Sequence, residues 1–561
     1  MNLPSDGLPE KISKKRLLAL RAFVGVVFLF VAFALVLPRP YHERTFRIEA
    51  GGCRMDTTVI EPAAAKFSRA ALADASGATS LDAHTSGTVI LLHGLAANRR
   101  LMSYIAEGFA LKGLRVFVPD LPGHGHTAGP FSPARDEECA ENLLHELRSR
   151  GMAPPESTIL AGHSMGGAIA IRIAARVPVA GVIAISPAPM RAAHGASADV
   201  LLFDNPPPLP PNTEIISGTF EPQQMTANAR DLLHPGVDVN SHFELVPFAT
   251  HAGLLFRPQV VRLEQTWAAS VLPLNDSGAS TVTDGSAPGH APSARIPSRW
   301  PLLGCLLGVL GMLTIAGPFL REATGKNAFD PSHVASPEGG ARIPFCIPFC
   351  IAWWRAAAEI LLIGLLVTVM LRYWQPLRIV RVFQADYLAG FLLFSGVLLI
   401  ALHWRYFADT FDLRNFSTLR ALFAAIVLFL LFSAWFELSL TESWLDSARW
   451  QRFPLLFLTI LPALMAEELL LGPIKTKRPW KRLFGALCYR LLWWLPLVFA
   501  ILVLHSGEVL LVLLAPYMAL FTIAHRRGMD VVREVTESAA AAAVFGAILL
   551  AGFSLVIFPL L

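Results

Sequence analysis

Apolar positions divide this chain into stretches of different period. An unbroken apolar run spans about 17–37. From about 42 to 270 short apolar segments alternate with amphipathic ones. From residue 300 onward long apolar stretches dominate, near 300–319, 345–371, 384–403, 419–440, 452–471, 486–504, 507–525 and 537–560. Runs of that length can cross a bilayer as helices. With the first run they predict nine spans.

The middle region has a different rhythm. Phe46-Arg47-Ile48-Glu49-Ala50 and Thr57-Thr58-Val59-Ile60 predict a hairpin. A Ser/Ala/Gly-rich loop over 68–87 precedes the buried strand Thr88-Val89-Ile90-Leu91-Leu92. Helical stretches are predicted at 99–112, 136–150 and 258–270, and further strands at 114–120, 157–160, 180–186, 214–218 and 243–248. Short apolar strands alternating with helices imply a parallel sheet wound with right-handed crossovers. Such sheets bind ligands beyond the carboxyl ends of their strands. Residues 271–298 are rich in Ser, Gly, Ala, Thr and Pro and read as a flexible linker.

Composition supports a membrane assignment. Only 16% of the 561 residues are charged and 54% are hydrophobic, far from the balance of a soluble domain. A net charge of +5 is too small over this length to imply nucleic acid. Lys11, Lys14, Lys15, Arg16 and Arg21 lie before or at the start of the first run, and no A-x-A-like cleavage site follows it. An uncleaved anchor with a cytoplasmic N-terminus is expected, which leaves the middle region outside an inner or plasma membrane of bacterial type. Nine spans put the basic groups Lys475–Arg482 and Arg526–Arg533 inside as well, whereas Arg372, Arg378 and Arg381 fall outside, against the rule. Cys53 and Cys139 are open to a disulfide or to two buried thiols. Cys346 and Cys350 lack a His or second Cys pair, so no metal site is expected. No cofactor is expected either.

One stretch carries chemistry. Gly162-His163-Ser164-Met165-Gly166 lies between an apolar strand and an apolar helix, the context of a nucleophile elbow. A serine hydroxyl needs a base to take its proton, and the base needs an orienting acid. Among His93, His124, His126, His163, His194, His234, His242 and His251, only His251 follows the last strand and precedes the last helix. Glu221 stands just past the 214–218 strand, with Asp231 and Asp238 as nearby alternatives.

Taken together, residues 42–270 resemble the α/β-hydrolase superfamily, in the region of monoacylglycerol-lipase-like and serine aminopeptidase members. The matching features are His93-Gly94, Asp120-Leu121-Pro122-Gly123-His124-Gly125, the elbow, and the serine–acid–histidine order. The resemblance implies an α/β-hydrolase fold, with a mostly parallel sheet and helices on both faces; the long apolar stretches join it to an all-α polytopic membrane bundle. It makes Ser164 the nucleophile, His251 the base and Glu221 the acid, although the family usually has Asp there. It makes the backbone N–H groups of Leu95 and Met165 the oxyanion hole, and gives Asp120, His124 and His163 mostly structural roles.

The resulting domain plan is a cytoplasmic 1–16, an anchor at 17–37, a hydrolase domain at 42–270, a linker at 271–298 and a membrane domain of about eight helices at 299–561. The short insert between the 180–186 and 214–218 strands leaves no room for a large cap; its Val200, Leu201, Leu202 and Phe203 offer an apolar rim. The expected substrate is a small-molecule or lipid ester, and the expected partner is the bilayer. A peptidase or amidase on the same triad, and a non-catalytic transporter or scaffold, are the alternatives. Ala466-Glu467-Glu468, with His505 downstream, also resembles the intramembrane CAAX-protease (CPBP) family across about 450–561. Gly472 replaces that family's Arg, Ile501 its Phe, and the final His-x-x-x-Asn/Asp is missing.

Overall fold

A computed structural model describes residues 8–37, 41–62, 87–190, 207–233, 240–272, 295–324, 349–374, 376, 380–411, 416–471, 479–504 and 509–561. The chain forms two compact units. One comprises Met1–Val36, Leu302–Phe436 and Trp444–Val556; the other comprises Leu37–Pro301, Glu437–Ser443 and Ile557–Leu561.

The second unit is built on an eight-stranded sheet: β1 (His42–Ala50), β2 (Cys53–Glu61), β3 (Thr88–Leu92), β4 (Arg115–Pro119), β5 (Thr158–His163), β6 (Gly181–Ile185), β7 (Thr213–Gly218) and β8 (His242–Val246). Its order is β1-β2-β4-β3-β5-β6-β7-β8. β1 and β2 form the expected hairpin, and β2 pairs antiparallel with β4. The remaining pairings are parallel. This is the α/β-hydrolase fold read from the sequence. Strands β3 to β7 are buried along their whole length, which explains their unbroken apolar runs rather than alternation.

Helices on the sheet supply the other half of the core. Phe109, Leu254, Val260 and Val261 pack with Val89, Leu91, Val116, Ile159 and Ile183 in one cluster. Helix Pro133–Ser149 begins with Ser132, whose hydroxyl accepts from Arg135 N at 3.2 Å, and has Pro133 in its first turn, a favourable start. The stretch expected as one helix over 99–112 divides into a 3-10 turn, Arg99–Met102, and a helix, Ser103–Ala110. Cys53 and Cys139 form a disulfide that ties β2 to helix Pro133–Ser149.

The first unit is helical. Eight helices among the described residues are long and apolar enough to cross a membrane: Arg16–Val36, Trp300–Thr324, Trp354–Tyr373, Ala385–Leu402, Thr418–Ser439, Ser447–Leu471, Leu483–Ile501 and Ala539–Ile557. The run expected at 507–525 lies in helix Val509–Thr536, whose first side chains fall outside the described set. Most of the 271–298 linker, the rim Val200–Phe203, Asp238, His194, His234, His505, Gly472 and the basic residues Lys475, Lys477 and Arg478 also fall outside the described residues.

Candidate active site

Ser164 sits where β5 turns into helix Met165–Ala174, with φ 55° and ψ −117°. That conformation is costly for a residue with a side chain, about 1–3 kcal/mol, and tends to be kept at functional sites. The surroundings hold it in place. Ser164 N donates to Ile185 O at 2.9 Å, and Ser164 O accepts from Ala168 N and Ala188 N. The turn is tight enough that a Cβ on Gly162 would overlap the backbone of Gly166, and one on Gly166 would lie 2.6 Å from His93 O. Ser164 remains partly accessible while residues on both sides are buried.

Glu221 and His251 arrive from the ends of the last two strands. Glu221 follows β7 and His251 follows β8. His251 Nδ1 lies 2.8 Å from Glu221 Oε1. Gly218 N donates to the other carboxylate oxygen, Oε2, at 3.1 Å. The Glu221 side chain is fully buried, and that of His251 is 13% exposed. An Nδ1 proton directed at the carboxylate leaves Nε2 as the acceptor, the tautomer a general base needs.

One participant was not foreseen. Ser186, at the end of β6, donates from Oγ to Glu221 Oε1 and lies 2.9 Å from His251 Nδ1. It is buried and holds φ 46°. In the sequence it is only a serine after an apolar strand, at a strand end that offers no carboxylate. Its position in the strand order was the single available signal.

Two histidines frame this network. His163 Nε2 donates to His251 O at 3.1 Å, and the two rings lie 4.6 Å apart. Burial pushes the His163 imidazole well below its ordinary range. His93 accepts on Nε2 from Leu121 N at 2.9 Å, so its Nδ1 donates to Gly94 O, also at 2.9 Å. Burial pushes His93 down to about 4. Both are neutral and act as fixed hydrogen-bonding posts.

Leu95 follows Gly94 in the loop after β3. A Cβ on Gly94 would lie 2.9 Å from both Ser164 Cβ and His163 Nδ1. Only glycine lets this backbone come so close to Ser164. Met165 opens the helix after the serine, so its N–H belongs to a helix N-terminus that favours an anion. Phe220 and Phe248 flank Glu221 and His251 in the chain, form an edge-to-face pair at 5.8 Å, and are 61% and 70% exposed.

A second charged cluster lies in the helical unit. Glu467 pairs with Arg490 at 3.1 Å and Arg526 at 3.0 Å. Glu468 pairs with Arg526 at 2.6 Å and Arg533 at 2.5 Å, and Arg526 also pairs with Asp530 at 2.6 Å. Three carboxylates thus face three guanidinium groups, a balanced set.

Residues 89–311 match the profile of the alpha/beta hydrolase family. The chain is 34% identical over 95 residues to Lipase 3 of a Moraxella species, covering 17% of this chain and 29% of that one. It is 35% identical over 91 residues to Lipase 1 of Psychrobacter immobilis, covering 16% and 27%. Against the monoacylglycerol lipase of Mycolicibacterium smegmatis it is 31% identical over 126 residues, covering 22% and 44%. The chain therefore spans less than half the length of these relatives. Among solved structures, the dienelactone hydrolase of Anabaena variabilis aligns at 19% identity and TM-score 0.27, covering 42% of this chain and 100% of that one.

Proposed function

We propose, from the match of residues 89–311 to the alpha/beta hydrolase family, that this chain is a membrane-bound serine hydrolase that cleaves carboxylic esters of apolar acids. One observation carries the reading: the Glu221–His251 pair at 2.8 Å, with His163 joining His251 to the strained elbow at Ser164. Ser164 Oγ attacks the carbonyl carbon while His251 Nε2 takes its proton. The new imidazolium is stabilised by Glu221, and the oxyanion is held by the N–H groups of Leu95 and Met165. Collapse breaks the ester C–O bond, and His251 returns the proton to the leaving alcohol. Water then repeats the sequence on the acyl-enzyme and releases the acid.

Apolar substrates are favoured by the exposed Phe220–Phe248 pair beside the acid and base. The Cys53–Cys139 disulfide fits a domain held in an oxidising compartment. That agrees with a cytoplasmic N-terminus followed by an anchor helix. In this reading the balanced Glu467–Arg526 network is a structural lock of the membrane unit, because every carboxylate in it is ion-paired.

The experiment is hydrolysis of p-nitrophenyl esters of rising acyl length by the full-length protein in detergent, with Ser164→Ala alongside. The proposal expects rates that rise beyond butyrate and vanish in the variant. Rates that peak at acetate contradict the apolar-substrate part, and rates unaffected by Ser164→Ala contradict the mechanism.

A further inference from the structure

The sheet unit contains a short piece of chain from far downstream. Residues Glu437–Ser443 belong to it, although in sequence they join two apolar helices, Phe416–Ser439 and Ser447–Leu471. Their contacts fall on two loops, the one after β3 that carries Gly94 and Leu95, and the one after β4. Asn98 Nδ2 donates to Thr441 Oγ1 at 2.7 Å. Arg99 Nε donates to Glu442 Oε1 at 2.6 Å, across 343 residues of sequence. Arg100 reaches Leu438 O at 3.5 Å. Glu442 Oε2 accepts from His126 N at 3.0 Å.

The Arg99–Glu442 contact is buried, and the other three are partly so. The Glu442 and Asp120 side chains are fully enclosed, and that of Arg99 is nearly so. Asp120 Oδ1 accepts from Arg99 N at 2.8 Å, and Oδ2 lies 3.2 Å from Arg99 Nε. The Arg99 guanidinium thus sits between Asp120 on the β4 loop and Glu442 on the inserted segment. Asn98 turns its Oδ1 back to Leu101 N at 3.4 Å, closing the 3-10 turn that follows the loop. Ala97 N to Gly94 O at 3.2 Å, and Ala96 at φ 59°, complete a tight and strained path between Gly94 and Asn98. One end of that path is fixed beside Ser164 by Gly94; the other is fixed by Thr441 and Glu442.

We propose that Glu437–Ser443 is a positioning element of the active site, in which Thr441 and Glu442 hold Asn98 and Arg99 and thereby set where the Leu95 N–H points. The inference rests on the serine-hydrolase reading above. It makes the hydrolase unit incomplete without the part of the chain that carries the membrane helices. It also gives the membrane region a role in catalysis besides anchorage. The neighbouring His126, Glu437 and Glu442 do not need a cation. His126 Nδ1 faces Glu442 and Nε2 faces Glu437, each at 3.6 Å. Opposite ring nitrogens facing different carboxylates make an ion-pair clamp, whereas a metal would draw both carboxylates to one nitrogen.

The test uses full-length Thr441→Val and Glu442→Gln in detergent, each with active sites counted by fluorophosphonate titration. Thr441→Val keeps every buried charge, so it remains informative if Glu442→Gln does not fold. A transition-state mimic, a trifluoromethyl ketone that forms a hemiketal oxyanion on the serine, reports the oxyanion hole directly. The proposal expects kcat per titrated site to fall about tenfold or more in Glu442→Gln, and less in Thr441→Val, since misplacing an oxyanion donor costs transition-state binding. KM should change little, and ketone affinity should weaken in proportion to kcat. Loss of stability alone would lower the number of titrated sites and leave kcat per site and ketone affinity unchanged; that result overturns the proposal. A wild-type protein with no titratable serine would instead overturn the hydrolase reading, and this inference with it.

Discussion

The Ser186 hydroxyl oxygen lies 2.9 Å from His251 Nδ1 while its proton goes to Glu221. A glutamate carboxylate has one more rotatable bond than the aspartate usual at this position. Three hydrogen bonds restrain it here, from Gly218 N, Ser186 Oγ and His251 Nδ1. A buried hydrogen bond to a charged group contributes about 1.5–3 kcal/mol. Ser186→Ala is therefore expected to lower kcat on a p-nitrophenyl ester by about tenfold or more with KM nearly constant. Glu221→Gln is expected to lower it by roughly 10³–10⁴, since the orienting charge itself is lost. Equal rates for Ser186→Ala and wild type would show that Gly218 and His251 suffice to fix the carboxylate.

The aromatic pair at the rim makes a separable prediction. Phe220→Ser with Phe248→Ser removes exposed apolar surface without touching Glu221 or His251 directly. Each methylene that loses apolar contact costs about 0.8 kcal/mol at most. The double variant should lose kcat/KM on octanoate or longer esters by about tenfold and keep its rate on acetate within about twofold. A uniform loss across chain lengths would assign the pair to support of the loops instead.

His126 gives stability a pH dependence. The Glu437 carboxylate, 3.6 Å from its Nε2, raises its pKa above the ordinary histidine value; burial opposes this, and the charge of Glu442 adds to it. A group whose folded pKa is raised contributes stability that is complete below its unfolded pKa of about 6.5, and that is lost as pH rises through the folded value. Glu437, Glu442, Arg99 and Asp120 are the charged groups around it. The difference in melting temperature between wild type and His126→Gln should be largest near pH 6 and shrink toward pH 9. A difference that stays constant across that range contradicts the clamp.

In the helical unit, Arg526 is fully buried between Glu467, Glu468 and Asp530. Removing one member of such a buried set typically costs about 3–5 kcal/mol, because the remaining charges stay enclosed. Arg526→Leu should lower the thermal stability of the detergent-solubilised protein strongly. Unchanged stability would mean that the cluster is held open to water.

Much of the fold was legible because it is written locally. The apolar runs at 88–92 and 180–186 are bounded by turn residues, and they became β3 and β6. The order of serine, glutamate and histidine after β5, β7 and β8 placed the three residues at the carboxyl ends of their strands. What escaped has no local mark. Ser186 is ordinary in composition, and its importance comes from the crossover that sets β6 between β5 and β7. The Arg99–Glu442 pair joins positions 343 apart, and residues 437–443 read as the end of one apolar helix and a short connection. Leu560, at the other end of the chain, exchanges backbone hydrogen bonds with Gly123 and Phe131, and nothing in an apolar tail announces that. The disulfide was open because pairing depends on the 5.6 Å approach of two Cα atoms, which spacing along the chain does not encode.

The most direct measurement of the central claim is to map the adduct of a fluorophosphonate probe on the full-length protein in native membranes by digestion and mass spectrometry. A Ser164 nucleophile activated by His251 gives a stoichiometric adduct on the peptide containing Ser164, absent in Ser164→Ala and strongly slowed in His251→Ala. A folded wild-type protein that carries no adduct on Ser164, or labelling that persists unchanged in Ser164→Ala, would contradict it.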